Sequence, residues 1–150
     1  MRTAVAIIAT FLGLSEVQAG SPQVPFHFFV TSAERIVEAR VGTMETRWQG
    51  QLLVTDVTLQ PQKNLKGGGS EPFFITIPGG TIGSTTLHVS KAPVFHTGED
   101  VVLFLRQNDW CPVLGWEKGK LTVVNGAISE LSGMPLELLE ADIAREMKGK

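Results

Sequence analysis

Apolar and polar residues alternate with a period of two over much of the chain between Val37 and Val124, and the main phase change falls at a glycine. Val37, Ala39 and Val41 alternate with Glu38 and Arg40, the pattern of a half-buried strand. After Gly42 the alternation resumes one step out of phase, with Met44, Thr46 and Trp48 opposite Glu45 and Arg47. One extra residue at a glycine predicts a β-bulge and a sharp bend, as a small closed barrel requires. Gln49-Gly50-Gln51 then turns the chain into 52–59, where Leu53, Val57 and Leu59 share a face. Residues 73–77 predict a strand that ends at Pro78-Gly79-Gly80. Residues 81–90 are polar and glycine-bearing, with Leu87 and Val89 opposite His88, and 92–95 leads into a turn at 96–99. The run VVLFL at 101–105 is apolar on both faces, which predicts a central strand covered on both sides. Residues 110–116 and 121–124 predict two more strands, and Asn125-Gly126 is a strong two-residue hairpin signal.

Two stretches follow a helical spacing instead. Leu136, Leu139, Ile143 and Met147 recur at three and four residues among Glu137, Glu140, Arg145 and Glu146, so 135–147 predicts an amphipathic helix with Pro135 at its start. Phe26, Phe29, Val30, Ala33 and Ile36 suit one face of a shorter helix, whose β-branched and aromatic content puts its boundary near Thr31 or Ser32. Between them, PQKNLKGGGSEP at 61–72 has the least regular pattern and predicts a flexible connection. Its Gly67-Gly68-Gly69 is followed by neither GK[ST] nor a helical pattern, so it is not a phosphate-binding loop. The whole predicts one mainly-β domain: a small OB-like barrel of five to seven strands with a C-terminal amphipathic helix.

The N-terminus changes the picture of where this domain works. Met1-Arg2 is a short positive start, and Thr3–Leu14 is an uncharged apolar run. Val17 and Ala19 then occupy the small-residue positions of a signal-peptidase site. The run has 12 residues, well short of the ~20 that cross a bilayer. The expected organisation is a secretory signal peptide at 1–19, an N-terminal leader and short helix at 20–35, and the β-barrel domain with its helix at 36–150. The mature protein is then secreted or periplasmic, with no membrane span after cleavage. Thirteen Lys and Arg stand against fifteen Asp and Glu, a net charge of −2. With no basic stripe, nucleic acid is not an expected partner. Cys111 is the only cysteine, so no internal disulfide can form, and its apolar neighbours predict a buried, inert thiol.

Candidate chemistry is sparse. His88 and His96 could share a metal with Glu99 or Asp100, and a small metal-dependent or hydrolytic enzyme using His88, His96 and Glu99 is the alternative reading. There is no HExxH, no H-x-H and no CxxC, however. Ser84 lacks the second glycine of a G-x-S-x-G elbow, and nothing in the spacing requires Cys111 to meet a histidine. Glu99 and Asp100 are neighbours on a strand, so they point to opposite faces and are expected to solvate the turn. No catalytic residue, metal ligand or cofactor is therefore assigned. The expected function is a non-enzymatic exported binding or interaction module for a protein, glycan or envelope component. Its candidate binding residues are Pro78, Gly79, Gly80, Gly83, Ser84 and His88, with Trp48 as the aromatic best placed for exposure. The glycines there have two readings that the sequence leaves open: close approach of backbone to a ligand, or a tight corner that needs glycine to bend.

Five strings in order, IVEARVGTMETRW (36–48), VTDVTLQPQKNLKG (54–67), ITIPGG followed by IG (75–83), VSKAPVFHTGEDVVLFLR (89–106) and LGWEKGKLTV (114–123), resemble a family of small exported bacterial proteins of unknown function. More distantly, the pattern is similar to OB-like barrels of the netrin and tissue-inhibitor type. That resemblance implies a bent first strand and a terminal helix. It does not carry over metal-directed protease inhibition, because no cysteine stands near Gly20.

Overall fold

The computed structural model describes residues 25–108 and 110–149; the expected signal peptide lies outside them. The fold is mainly β. Two long strands, β1 (Arg35–Gln49) and β2 (Leu52–Lys66), form the frame as one antiparallel hairpin. They are followed by β3 (Phe73–Pro78), a small hairpin of β4 (Gly80–Ile82) and β5 (Thr85–Leu87), then β6 (Asp100–Leu105), β7 (Lys120–Val124), β8 (Ala127–Ile128) and β9 (Met134–Pro135). The main sheet runs β3-β2-β1-β6-β7-β8-β9, and β4-β5 pair separately. Helix α1 (Phe26–Ser32) precedes the sheet and α2 (Leu136–Lys148) follows it.

The bulge expected at Gly42 is present. Val41 pairs with Leu59 and Met44 with Val57, so Gly42 and Thr43 together oppose Thr58. Two further shifts, between Ile36 and Val37 and between Glu38 and Ala39, put extra residues on β2 instead. These bulges bend the long hairpin, so its two halves lie in differently tilted parts of the sheet.

Strand β6 is the middle strand of seven, and its alternation divides the core. Val101, Leu103 and Leu105 join Val37, Ala39, Val41, Val57, Leu59, Ile75 and Ile77 on one face, under Phe95, Cys111 and Val113. Val102 and Phe104 join Ile36, Leu121 and Ile128 on the other, under Phe29 and Val30 of α1 and Leu139 and Ile143 of α2. Helices cover one face and irregular chain covers the other. Leu139 and Ile143 are each 1% exposed, worth about 2 kcal/mol apiece as buried apolar side chains. They anchor α2, whose Pro135 stands at its N-cap as the sequence indicates.

The sheet does not close into a barrel, because its outermost strands, β3 and β9, do not pair. The strand expected at 110–116 is reduced to the bridge between Leu105 and Val113, at the end of β6. Pro112 has no N–H to give, and Gly115 and Trp116 take positive φ, 70° and 58°, which turns the chain into a 3-10 segment at Trp116–Gly119.

Helix α1 ends at Ser32, where the boundary is expected, and Lys66 Nζ donates to the carbonyls of Val30 (2.8 Å) and Thr31 (3.3 Å), satisfying the helix end. One other expectation is corrected. Residues 61–66 are not a loose connection but the end of β2. Beyond Leu59 that strand has no β3 residue beside it, so Pro61 sits on a free edge where a missing N–H is harmless. The glycines that follow are held down as well: Arg35 Nη2 and Asn64 Nδ2 both donate to the Gly69 carbonyl at 3.0 Å.

Candidate functional site

Four of the seven sequence-predicted binding residues, Pro78, Gly79, Gly80 and His88, line one cavity of about 190 Å³ between the bent sheet and the β4–β5 hairpin. The glycines set this geometry. Gly79 and Gly80 have φ of 99° and 144°, a region that side chains with a Cβ rarely enter. A Cβ on Gly80 would lie 2.5 Å from Thr55 Oγ1 and 2.6 Å from Thr46 Cγ2. The two threonines hydrogen-bond each other at 3.0 Å, and Thr55 Oγ1 donates to the Gly79 carbonyl at 2.8 Å. What approaches Gly80 is therefore the chain's own β1–β2 hairpin, and what approaches Gly79 is the Leu87 carbonyl with Val89 beyond it; the tight-corner reading fits both.

Below the hairpin, Thr55, Val57, Ile77 and Phe95 form a largely apolar floor, with Met44, Leu87, Val89 and Val94 around it. Val57, Ile77 and Phe95 are core residues, whereas Met44 and Val94 are exposed at 42% and 65%. Gly83 and Ser84 make the two-residue turn between Ile82 and Thr85, with Gly83 at φ 57° as a type II′ turn demands. They sit at the exposed hairpin tip and do not line the cavity. Trp48 is exposed as expected, at 52%. It shares a face with Met44 and Thr46 by strand alternation but is not part of the cavity lining.

The ridge Ala92–Val94 separates this cleft from a second cavity of about 660 Å³, bounded on its far side by Glu117, Lys118, Lys120, Leu121, Glu130 and Leu131. Two of the charges beside it, Lys120 and Glu130, are committed to partners. Lys120 Nζ lies 2.9 Å from Glu99 Oε1 with both side chains nearly buried, and 5.1 Å from the Phe95 ring centre. Glu130 accepts from Thr122 N–H and Oγ1, each at 2.7 Å.

The candidate metal trio is not assembled. Glu99 Oε1 also accepts the His96 backbone N–H at 2.9 Å, while the His96 ring stands 3.8 Å from Oε2 and is largely exposed. His88 lies at the cleft, and among the described residues no three His, Cys, Asp or Glu side chains converge on a common point. Glu99 thus satisfies its turn through the His96 N–H and also neutralises Lys120 on the core side, whereas Asp100 pairs with Arg40 through two bonds of 2.9 and 3.1 Å. That pairing, chiefly the Arg40 hydrogen bond, holds the Asp100 carboxyl below the usual range. Cys111 is buried, and burial pushes its thiol up, away from the reactive thiolate. Its Sγ lies 3.9 Å from the Val113 carbonyl. Trp110 stacks at a tilt on Trp116, ring centres 6.5 Å apart.

Sequence reasoning missed Met44, Val94 and Phe95. Met44 shares its face with the predicted Trp48, and Val94 and Phe95 fall in a short apolar stretch after a proline, but nothing local says that these two segments meet. Comparison of the chain with family models, with curated proteins and with solved structures finds no match.

Proposed function

We propose that this chain is an exported binding module without catalytic activity, and that its site is the cleft beneath the β4–β5 hairpin. The observation that carries the reading is an apolar floor joined to exposed apolar residues, Met44 and Val94, on the same cleft. Exposed apolar surface that adjoins a concavity marks a place where water is readily displaced. At about 190 Å³ the cleft falls below the ~300 Å³ at which pockets for whole drug-sized ligands begin. It suits one apolar side chain or short apolar group projecting from a larger protein, glycan or envelope component. The hairpin is pinned through Gly79, Gly80, Thr46 and Thr55, so the wall stands ready before a ligand arrives and little ordering cost remains. The neighbouring Lys118 and Glu117 offer polar contacts to the body that carries the group.

The test is an NMR titration of the ¹⁵N-labelled protein with N-acetyl-leucine amide. Shift changes centred on Ile77, Gly79, Leu87 and Phe95, lost in Val94→Asp, support the site. Changes scattered over the surface, or equal in Val94→Asp, overturn it.

A further inference from the structure

One edge of the main sheet is left open in a way the other is not. At one end stands β9, two residues long and ending in Pro135, a strand too short and too donor-poor to recruit another. At the other end stands β3, six residues in unbroken register with β2 from Phe73↔Leu59 to Pro78↔Val54. Among the described residues β3 pairs with no other strand. Its sequence FFITIP carries no charge and has its only proline at the last position. The usual devices that blunt an edge strand (charge, bulge, internal proline) are all missing.

The register shows which backbone groups turn away from β2. Gly79 N–H donates to the Leu53 carbonyl at 2.8 Å. Leu53 and Gly79 continue the β2–β3 register, so hydrogen bonds to β2 recur at every second residue: Ile77, Ile75 and Phe73. Phe74 and Thr76 therefore turn their N–H and C=O groups away from β2. They look into a groove of about 370 Å³ that Gln107, Asn108, Trp110 and Pro112 also line. The consecutive residues Phe74, Ile75 and Thr76 all line it. Side chains of one strand face alternate, so a cavity touching three in succession looks onto the strand's edge.

We propose that this groove takes an extended segment of a partner protein with apolar side chains at alternate positions, which adds to β3 as an eighth strand of the main sheet. Outward-facing N–H and C=O groups at every second residue match an extended backbone and no other common ligand. Phe74, 63% exposed, and the exposed Leu52 flank the groove and supply apolar contact to alternate side chains of the incoming strand. Gln107, Asn108, Trp110 and Pro112 line the groove together with β3, so the space suits a lone strand better than the rim of a second sheet. This site is separate from the cleft and stands or falls independently of it.

The test uses the blocked peptide acetyl-TVTVTVT-amide and hydrogen exchange followed by NMR. Binding is expected to slow exchange of the Phe74 and Thr76 amides at least tenfold, and a peptide N-methylated at alternate residues is expected to lose that effect. Thr76→Pro, which removes one outward N–H, should weaken binding at least tenfold, while Thr76→Ala, which keeps it, should not. Should Thr76→Pro fail to fold, the N-methylated peptide on the unaltered protein decides the question. The proposal is overturned if the peptide does not bind, if N-methylation makes no difference, or if protection appears at Leu87 and Phe95 instead. It is equally overturned if Phe74 and Thr76 are already protected in the free protein, whether as a dimer that pairs edges or as a monomer covered by its own first 24 residues.

Discussion

Glu38 gives the sharpest quantitative test of this structure. It lies on β1 between Lys63 of β2 and Val102 of β6, on the face covered by α2. The residue is 9% exposed, and its Oε1 is buried without a hydrogen-bond partner. Glu140 of α2 faces it, and Lys63 Nζ reaches Glu140 Oε2 at 2.6 Å. Burial first, then the hydrogen bond and the charge of Glu140, push the Glu38 carboxyl up from an ordinary 4.5 to about 7, against the pull of Lys63. Glu140, bonded by Glu38 and Lys63, is held down. Because the folded state keeps a proton on Glu38 that the unfolded chain releases near 4.5, the stability from this group is complete below that pH. It is lost as pH rises through about 7. The shift caps the loss at about 3 kcal/mol, and water reaching the site lowers the expectation to about 2 kcal/mol. Urea denaturation at intervals between about pH 5 and pH 8 should show that decline in the parent protein. Glu38→Gln, which keeps a neutral donor toward Glu140, should show a nearly flat profile and exceed the parent at pH 8. Asp56 and Asp100, both lowered, titrate below this window. Parallel profiles for the two proteins, or parent stability rising with pH, would refute the placement of Glu38 under α2.

Three further outcomes follow from named contacts. Gly80→Ala should cost about 2 kcal/mol or more in thermal or urea unfolding, since its φ of 144° and the overlap with Thr46 and Thr55 both oppose a Cβ; a cost under about 0.5 kcal/mol would mean that the hairpin is not seated there. Lys120→Ala should cost about 3 kcal/mol by leaving Glu99 charged and nearly buried without its partner, and adding Glu99→Gln should recover much of that loss in the same assay. Cys111 should react with Ellman's reagent in the native protein at least tenfold more slowly than in urea, because its thiol is buried and its pKa raised; equal rates would place it at the surface.

The parts of the fold legible in the sequence are those decided by neighbours along the chain. The bulge at Gly42, the Asn125-Gly126 turn with φ of 51° and 75°, the doubly covered strand at 101–105 and the helix after Pro135 all depend on local pattern, and all are present. What the sequence left hidden depends on pairing at a distance. Whether Pro61 breaks a strand depends on whether a strand pairs with β2 on its outer side at that point, and among the described residues none does. Whether 110–116 extends depends on Gly115 and Trp116 entering positive φ, and a tryptophan gives no local warning of that. The candidate site divides in the same way. Pro78-Gly79-Gly80 could be read as a structural corner or a ligand approach. Only the nearness of Thr46 and Thr55, some thirty residues earlier in the chain, settles it as a corner whose consequence is a cleft. Glu38 reads as an ordinary polar position of an alternating strand until Glu140 is brought against it by a helix a hundred residues later.

The two covers of the sheet explain where binding falls. On the helical face, α1 and α2 present side chains at regular intervals, and Phe29, Val30, Leu139 and Ile143 fill the grooves of β1, β6 and β7; the exception is Glu38. On the opposite face the cover is irregular chain, 92–98 and 111–116, interrupted by prolines and by glycines or other residues at positive φ. Such chain cannot match a bent sheet at every position, because its direction is set by turns rather than by a repeating side-chain spacing. The misfit collects beside the bulge at Gly42 of β1 and at the groove where Gln107, Asn108, Trp110 and Pro112 line the edge of β3. Both proposed sites lie at these places. A substitution that suppressed the bulge and made β1 pair with β2 residue for residue past Gly42 would move Met44–Gln49 by one register position, turn their side chains to the other face, and should abolish the cleft while leaving α2 seated on Ile36 and Val102.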